Sequence, residues 1–263
     1  KQWDRHGLAP IKRRLIVDHL IELEEQLSQL NVPLIVLDCD VFSNVPQQLK
    51  ELCVEQSITH LYYNHEYEVN EQRYTEETVR VLAGFNIEAK GYHDQCIVPP
   101  GAVLNGSGEC YKVFSAFAKN WMANITTLAR PLYSKPVAQQ TIDCSSNIQC
   151  LKANLIDVDI DTQQQWPTGE DEAHDRLNDF IDEDVSQYHT QRDFPDLDAT
   201  SHLSVYLALG TLTTRQCLQG LLSSEQQTIE LLSEVQGEGK LCWLNELVWR
   251  DFYFLKKKNS KGH

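Results

Sequence analysis

Three short apolar runs recur early in the chain: Pro33-Leu-Ile-Val-Leu-Asp-Cys39, Ile58-Thr-His-Leu-Tyr-Tyr-Asn64 and Ile87-Glu-Ala-Lys-Gly-Tyr-His93. Each is too short for a buried helix and reads as a strand. Around them the apolar residues return at helical spacing. Ile11, Leu15, Ile16, Leu20, Leu23, Leu27 and Leu30 predict an amphipathic helix over 10–30, and further helices are predicted over 45–56 and 71–83. Strands alternating with helices require parallel crossovers, so the predicted class is α/β, an open parallel sheet covered on both faces. Such sheets bind ligands beyond the carboxyl ends of their strands, where Tyr62-Tyr-Asn-His-Glu-Tyr-Glu-Val-Asn70 concentrates acids, amides and aromatics. Pro99-Pro-Gly101 reads as a turn.

With 263 residues and 41% apolar content, the chain suffices for one large or two moderate domains. Its formal net charge of −15 opposes nonspecific attraction to DNA phosphates. The one basic cluster, Lys256, Lys257, Lys258 and Lys261, reads as a solvated tail. The eight cysteines are scattered without a Cys-x-x-Cys pair, which argues against zinc and for reduced thiols, a local Cys144–Cys150 bridge being the lesser alternative. No apolar run is long enough to span a bilayer and nothing resembles a signal peptide, so a cytoplasmic protein is expected. The start at Lys1 and the single methionine, Met122, suggest a piece of a longer product. Ser and His residues are too dispersed for a hydrolase triad, and the acids lack metal-ligand spacing.

From 120 to 165, with Pro131 and Pro136, the pattern is that of a long connector. Beyond Trp166-Pro-Thr-Gly-Glu-Asp-Glu-Ala173, residues Ala173, Leu177 and Phe180 give a helix face. Thr200, Ser201 and Ser204 then lead into an apolar helix carrying Leu203, Val205, Tyr206 and Leu207, with Gly210 inside it. Two readings stand: free N–H donors with short hydroxyls suit a phosphate, and the same residues make an ordinary N-cap. In Trp243-Leu-Asn-Glu-Leu-Val-Trp-Arg-Asp-Phe-Tyr253, helical spacing sets Trp243, Glu246 and Arg250 along one face, with Asn245 and Trp249 beside it. A Trp-rich core helix accounts for Trp243, Leu247 and Phe252 and less easily for a buried Glu246 and Arg250.

Thr-Ser-x-Leu-Ser-x-Tyr-Leu-x-x-Gly-x-Leu-Thr-x-Arg, from Thr200 to Arg215, resembles the flavin-phosphate segment of the DNA photolyase and cryptochrome family. The Trp243–Tyr253 segment resembles the family's second signature, and the Asn-x-x-Tyr-Glu and Tyr-x-Val-Phe-x-x-Phe stretches (from Asn64 and Tyr111) and the Trp166 segment resemble others. The resemblance implies a Rossmann-like antenna domain over 1–120, a linker over 121–165 and the beginning of an all-α flavin-binding domain over 166–263. It assigns Tyr188, Thr200, Ser201, His202, Leu203, Ser204, Trp243 and Arg250 to FAD. His6 and Glu109 match positions that hold a methenyltetrahydrofolate antenna in bacterial members. Arg192, Asn245, Glu246 and Trp249 are assigned to damaged DNA, with Glu246 and Trp249 the catalytic pair.

The implied activity is deoxyribodipyrimidine photolyase, a lyase of DNA repair that opens cyclobutane pyrimidine dimers with light through reduced FAD. The implied partner is UV-damaged DNA, and the implied state a monomer without membrane association. A cryptochrome-type photoreceptor and an inactive nucleotide- or pterin-binding fragment remain alternatives. His202 stands where many photolyases have Arg, which predicts weaker or more pH-sensitive flavin contact.

Overall fold

The computed structural model of the chain describes residues 7–128, 132–152, 165–223 and 238–259. Helix α1 (Pro10–Gln29) has Pro10 in its first turn, where the missing N–H leaves no bond unmade, and buries Leu15 and Val17. Helix α2 (Val45–Glu55), strand β1 (His60–Asn64), helix α3 (Val69–Ala83) and strand β2 (Glu88–Tyr92) follow. The two strands are parallel, in register from His60 opposite Glu88 to Asn64 opposite Tyr92. Leu61 and Ala89 turn inward onto Cys53 of α2 and Leu82 of α3. Alternate residues face out, so His60, Tyr62, Lys90 and Tyr92 are exposed.

Two sequence expectations are corrected here. The run Pro33–Cys39 is no strand, because its backbone is engaged elsewhere. Val36 N–H donates to Asn147 Oδ1 (2.6 Å), Asn147 Nδ2 donates to the Val36 carbonyl (2.9 Å), and Leu34 N–H donates to Ser146 Oγ (3.0 Å). The sheet therefore has two strands among the described residues, and only one face carries a helical layer.

Helix α4 (Phe114–Leu128) extends into the stretch read as connector and buries Phe117, Trp121 and Ile125. After α5 (Gln149–Lys152), α6 (Glu170–Asp179) buries Ala173 and Leu177 and continues through a π turn, Phe180–Asp184, to α7 (Tyr188–Gln191). Helix α8 (Ser204–Leu209) stops at Gly210, whose left-handed φ of 81° lets its N–H close on the Tyr206 carbonyl at 2.9 Å. The glycine expected inside a longer helix thus ends it, and the chain restarts as α9 (Thr214–Ser223). Helix α10 (Glu238–Asn259) is the longest of the described helices.

The main core joins Trp121 and Ile125 of α4, Leu177 of α6, Leu203, Tyr206, Leu221 of α9, and Leu244, Val248 and Phe252 of α10, reaching Ile97 and Val98 after β2. The molecule is a mostly helical α/β protein with a small parallel sheet. No disulfide joins the cysteines, and no described helix is long and apolar enough to cross a membrane.

Candidate functional site

Helix α10 organises the site. Trp243 is buried and packs on Phe180 with ring centroids 5.2 Å apart; Phe180 in turn meets Tyr188 edge-on at 5.7 Å. The Arg192 guanidinium lies 5.6 Å from the Tyr188 ring centroid and donates to Glu246 Oε1. Burial, then the Glu246 charge, pushes the Tyr188 hydroxyl above its ordinary range. The hydrogen bond to Glu246 raises Arg192 further. The sequence placed Glu246 in a buried setting; its side chain is 42% exposed, because α7 offers it a guanidinium at the rim rather than a cavity.

Trp249 stacks on Phe114 of α4 at 3.5 Å with only 6° between planes, and Tyr253 lies along it at 5.5 Å. Asn245 is half-buried on the same helix. Arg250 reaches away from Glu246: its Nη2 donates to the Leu207 carbonyl (3.1 Å) and its Nε to that of Gln95 (3.4 Å), over the Phe254 ring. Burial lowers its pKa below the usual guanidinium value. Lys256 and Lys257 are not a tail. Both lie on α10, Lys256 over the Phe252 ring and Lys257 on Glu68 at 2.5 Å, because the amphipathic helix continues through them. Lys261 lies outside the described residues.

Thr200, Ser201 and His202 line a recess of about 290 Å³. Glu172, Asp175, Asp179, Asp184 and Asp198 share its wall with Arg176. His202 adopts a φ of +49°, unusual for a side-chain-bearing residue, and contacts Asp198 Oδ1 at 2.7 Å and Thr200 Oγ1 at 3.3 Å. Leu203 is buried in the core and Ser204 is exposed at the start of α8. The loop therefore presents hydroxyls in a locally acidic setting, in which an anion depends on Arg176 for compensating charge.

Glu109 is exposed on a tight reversal between Leu104 and Cys110, where Asn105 Oδ1 accepts from the Ser107 and Glu109 N–H groups. His6 lies outside the described residues. At the strand ends Tyr67 is buried, its hydroxyl 2.8 Å from His93 Nδ1, while Tyr62 is exposed.

The sequence reading gave Asp251 no role, although it falls on the buried stripe Leu244, Val248, Asp251, Leu255 of α10. Its carboxylate accepts from the Ile97 N–H (3.1 Å), the Val98 N–H (2.9 Å) and Trp121 Nε1 (2.9 Å). Burial outweighs these donors and raises its pKa to about 6. An acid on an otherwise apolar stripe was the signal available.

Residues 1–137 match the family described as DNA photolyase. Deoxyribodipyrimidine photo-lyases of Escherichia coli and Vibrio cholerae are 36% and 34% identical to the chain over 96% of its length, covering 52% and 53% of those proteins. The chain thus spans about half the length of the curated relatives it matches. Among solved structures it is similar to a Synechocystis cryptochrome (TM-score 0.76, 21% identity, 95% of this chain and 51% of that one). It is also similar to a bacterial class III photolyase from Agrobacterium tumefaciens (TM-score 0.73, 22% identity, 95% and 50%). With this agreement of sequence and fold, the chain belongs to the DNA photolyase family.

Proposed function

We propose that this chain carries part of the flavin and substrate machinery of a deoxyribodipyrimidine photolyase, which repairs cyclobutane pyrimidine dimers in UV-damaged DNA with light. The carrying observation is the convergence on one rim of Tyr188, Arg192 and Glu246, with Trp249 one helical turn along α10. In this reading residues 166–263 begin an all-α flavin-binding domain and residues 1–120 form the antenna domain, with 121–165 between them.

The hydroxyls of Thr200, Ser201 and Ser204 would hold FAD at its phosphate end, as donors that Arg176 supplements against the carboxylates of the recess. When bound, FAD supplies the excited-state electron that opens the dimer. Tyr188 and Trp243 support the site as an aromatic wall, with Phe180 packed between them. Arg250 braces α8 against α10 through the Leu207 carbonyl and would help hold the phosphates. Arg192 exchanges its bond to Glu246 for one to a DNA phosphate, and the released Glu246 then accepts from a thymine N–H. Trp249, already flat against Phe114, offers a rigid apolar surface to a flipped-out base. No side chain need act as a general base. A folate antenna held by His6 and Glu109 is the matching proposal for the first domain.

The test is repair of a thymine-dimer oligonucleotide by the purified protein under near-ultraviolet or blue light, after flavin loading and reduction. Recovery of thymine absorbance in light and not in darkness supports the reading. Flavin photoreduction without repair moves the assignment to a signalling photoreceptor.

A further inference from the structure

Asp251 is the only acidic or basic side chain buried to 2% exposure among the described residues, and no step above uses it. It ties α10 to two other parts of the chain, the Ile97–Val98 segment after β2 and Trp121 of α4. Otherwise α4 meets α10 through aromatic faces: Phe114 on Trp249 and Phe252, and Phe117 on Phe252. Apolar contacts of this kind are non-directional and allow two helices to slide, whereas a hydrogen bond fixes distance and angle. The Trp121–Asp251 bond therefore sets the register in which Phe114 meets Trp249.

We propose that Asp251 is a positioning residue for the α10 rim: by drawing Trp121, Ile97 and Val98 onto one turn of the helix, its carboxylate holds Trp249 and Glu246 where they meet their ligands. This rests on the reading of α10 as the flavin- and lesion-facing helix. Asp251 acts through those residues and touches neither ligand.

The charge that performs this task is coupled to its surroundings. Arg250 faces Asp251 from the same helix, and the Trp121 indole faces it from α4. The Cys96 thiol lies in hydrogen-bond reach of both the Asp251 carboxylate and the Tyr67 hydroxyl, and Tyr67 reaches His93, whose ring centroid is 4.5 Å from that of His65. Asp94, paired with Arg215 of α9, and Glu68, paired with Lys257, are further charged groups nearby among the described residues.

The test uses the tryptophan indole N–H resonances of the isotopically labelled full chain, with the Trp121 and Trp249 signals assigned from their Phe variants. In the wild type both signals are expected to shift together as pH passes about 6, although only Trp121 bonds to Asp251. In Asp251→Asn the Trp249 signal is expected to move from its stacked position and stop responding to pH, while Asp251→Glu restores part of the response. Should Asp251→Asn fail to fold, Trp121→Phe decides the matter, since it keeps the carboxylate and its two backbone donors; the Trp249 signal must shift there too. A Trp249 resonance that keeps its wild-type position in the folded variants overturns the proposal. Neither flavin nor DNA enters the measurement, so failed repair by the wild type would sink the functional reading and leave this result standing.

Discussion

Arg192 and Glu246, 54 residues apart, form an ion pair that joins the end of α7 to α10, with the guanidinium also resting against the Tyr188 ring. Both residues proposed to engage DNA are thus engaged with each other in the free chain. A pair exposed to this extent contributes at most about 1 kcal/mol to stability. Arg192→Ala is therefore expected to unfold within that margin of wild type. Its affinity for dimer-containing DNA should fall by about 2 kcal/mol, roughly thirtyfold, the worth of one charge-assisted contact. Fluorescence anisotropy with a labelled lesion oligonucleotide reads the difference, and tighter binding by the variant would show that the pair is a structural clamp.

Trp121→Phe preserves most of the ring volume and removes one donor from Asp251. A buried acceptor left short of a partner costs about 1–3 kcal/mol, so the urea midpoint should fall by that equivalent with the m-value unchanged. A variant as stable as the wild type would mean that water or Arg250 replaces the indole.

The pH dependence follows from Asp251. Its folded-state pKa, about 6, lies above the ordinary aspartate value near 4, so the folded chain holds this proton more tightly than the unfolded one. The associated stability is complete below about pH 4 and lost as pH rises to about 6, by about 3 kcal/mol at most. Asp251→Asn has nothing to ionise in that window. Melting temperatures of the two proteins, recorded in parallel, should differ in slope there, and equal slopes would refute this assignment.

Gly239 lies in the first turn of α10, where a Cβ would collide with the Val185 and Ser186 carbonyl oxygens. Helix propensity alone favours alanine over glycine by about 1 kcal/mol. Gly239→Ala is nevertheless expected to destabilise, by about 2 kcal/mol, because backbone atoms cannot move aside as a flexible side chain can. Calorimetry showing a stabilised variant would contradict the close approach.

For His202→Arg, a permanent cation beside Thr200, with more donors than an imidazole, should tighten flavin binding. Equilibrium titration of FAD against both proteins checks this, and equal affinities would count against it.

The parts legible in the sequence were those with a local signature. The spacing of Leu15, Leu20 and Leu27 located α1, and Ile58–Asn64 and Ile87–His93 contain β1 and β2. The Trp243–Tyr253 stretch is helical throughout. What escaped depended on distant partners. Nothing within Pro33–Cys39 reveals that Ser146 and Asn147 occupy its backbone, and nothing near Glu246 reveals that Arg192 meets it. The surroundings of Thr200 were hidden for the same reason, since most of the carboxylates near it come from α6 and the turn after it.

The strap formed by Asn147 and Gln139 along Leu30–Val36 bears on how the molecule opens. Gln139 and Asn31 exchange side-chain and backbone bonds more than a hundred positions apart in sequence, so neither segment can detach without releasing the other. The crossing segment behaves as part of one cooperative unit with the α1–α2 connection. Amide exchange at Leu34, Val36, Gln139 and Asn147 should proceed at a common rate, and a protease that cuts between 132 and 147 should loosen the end of α1 along with it.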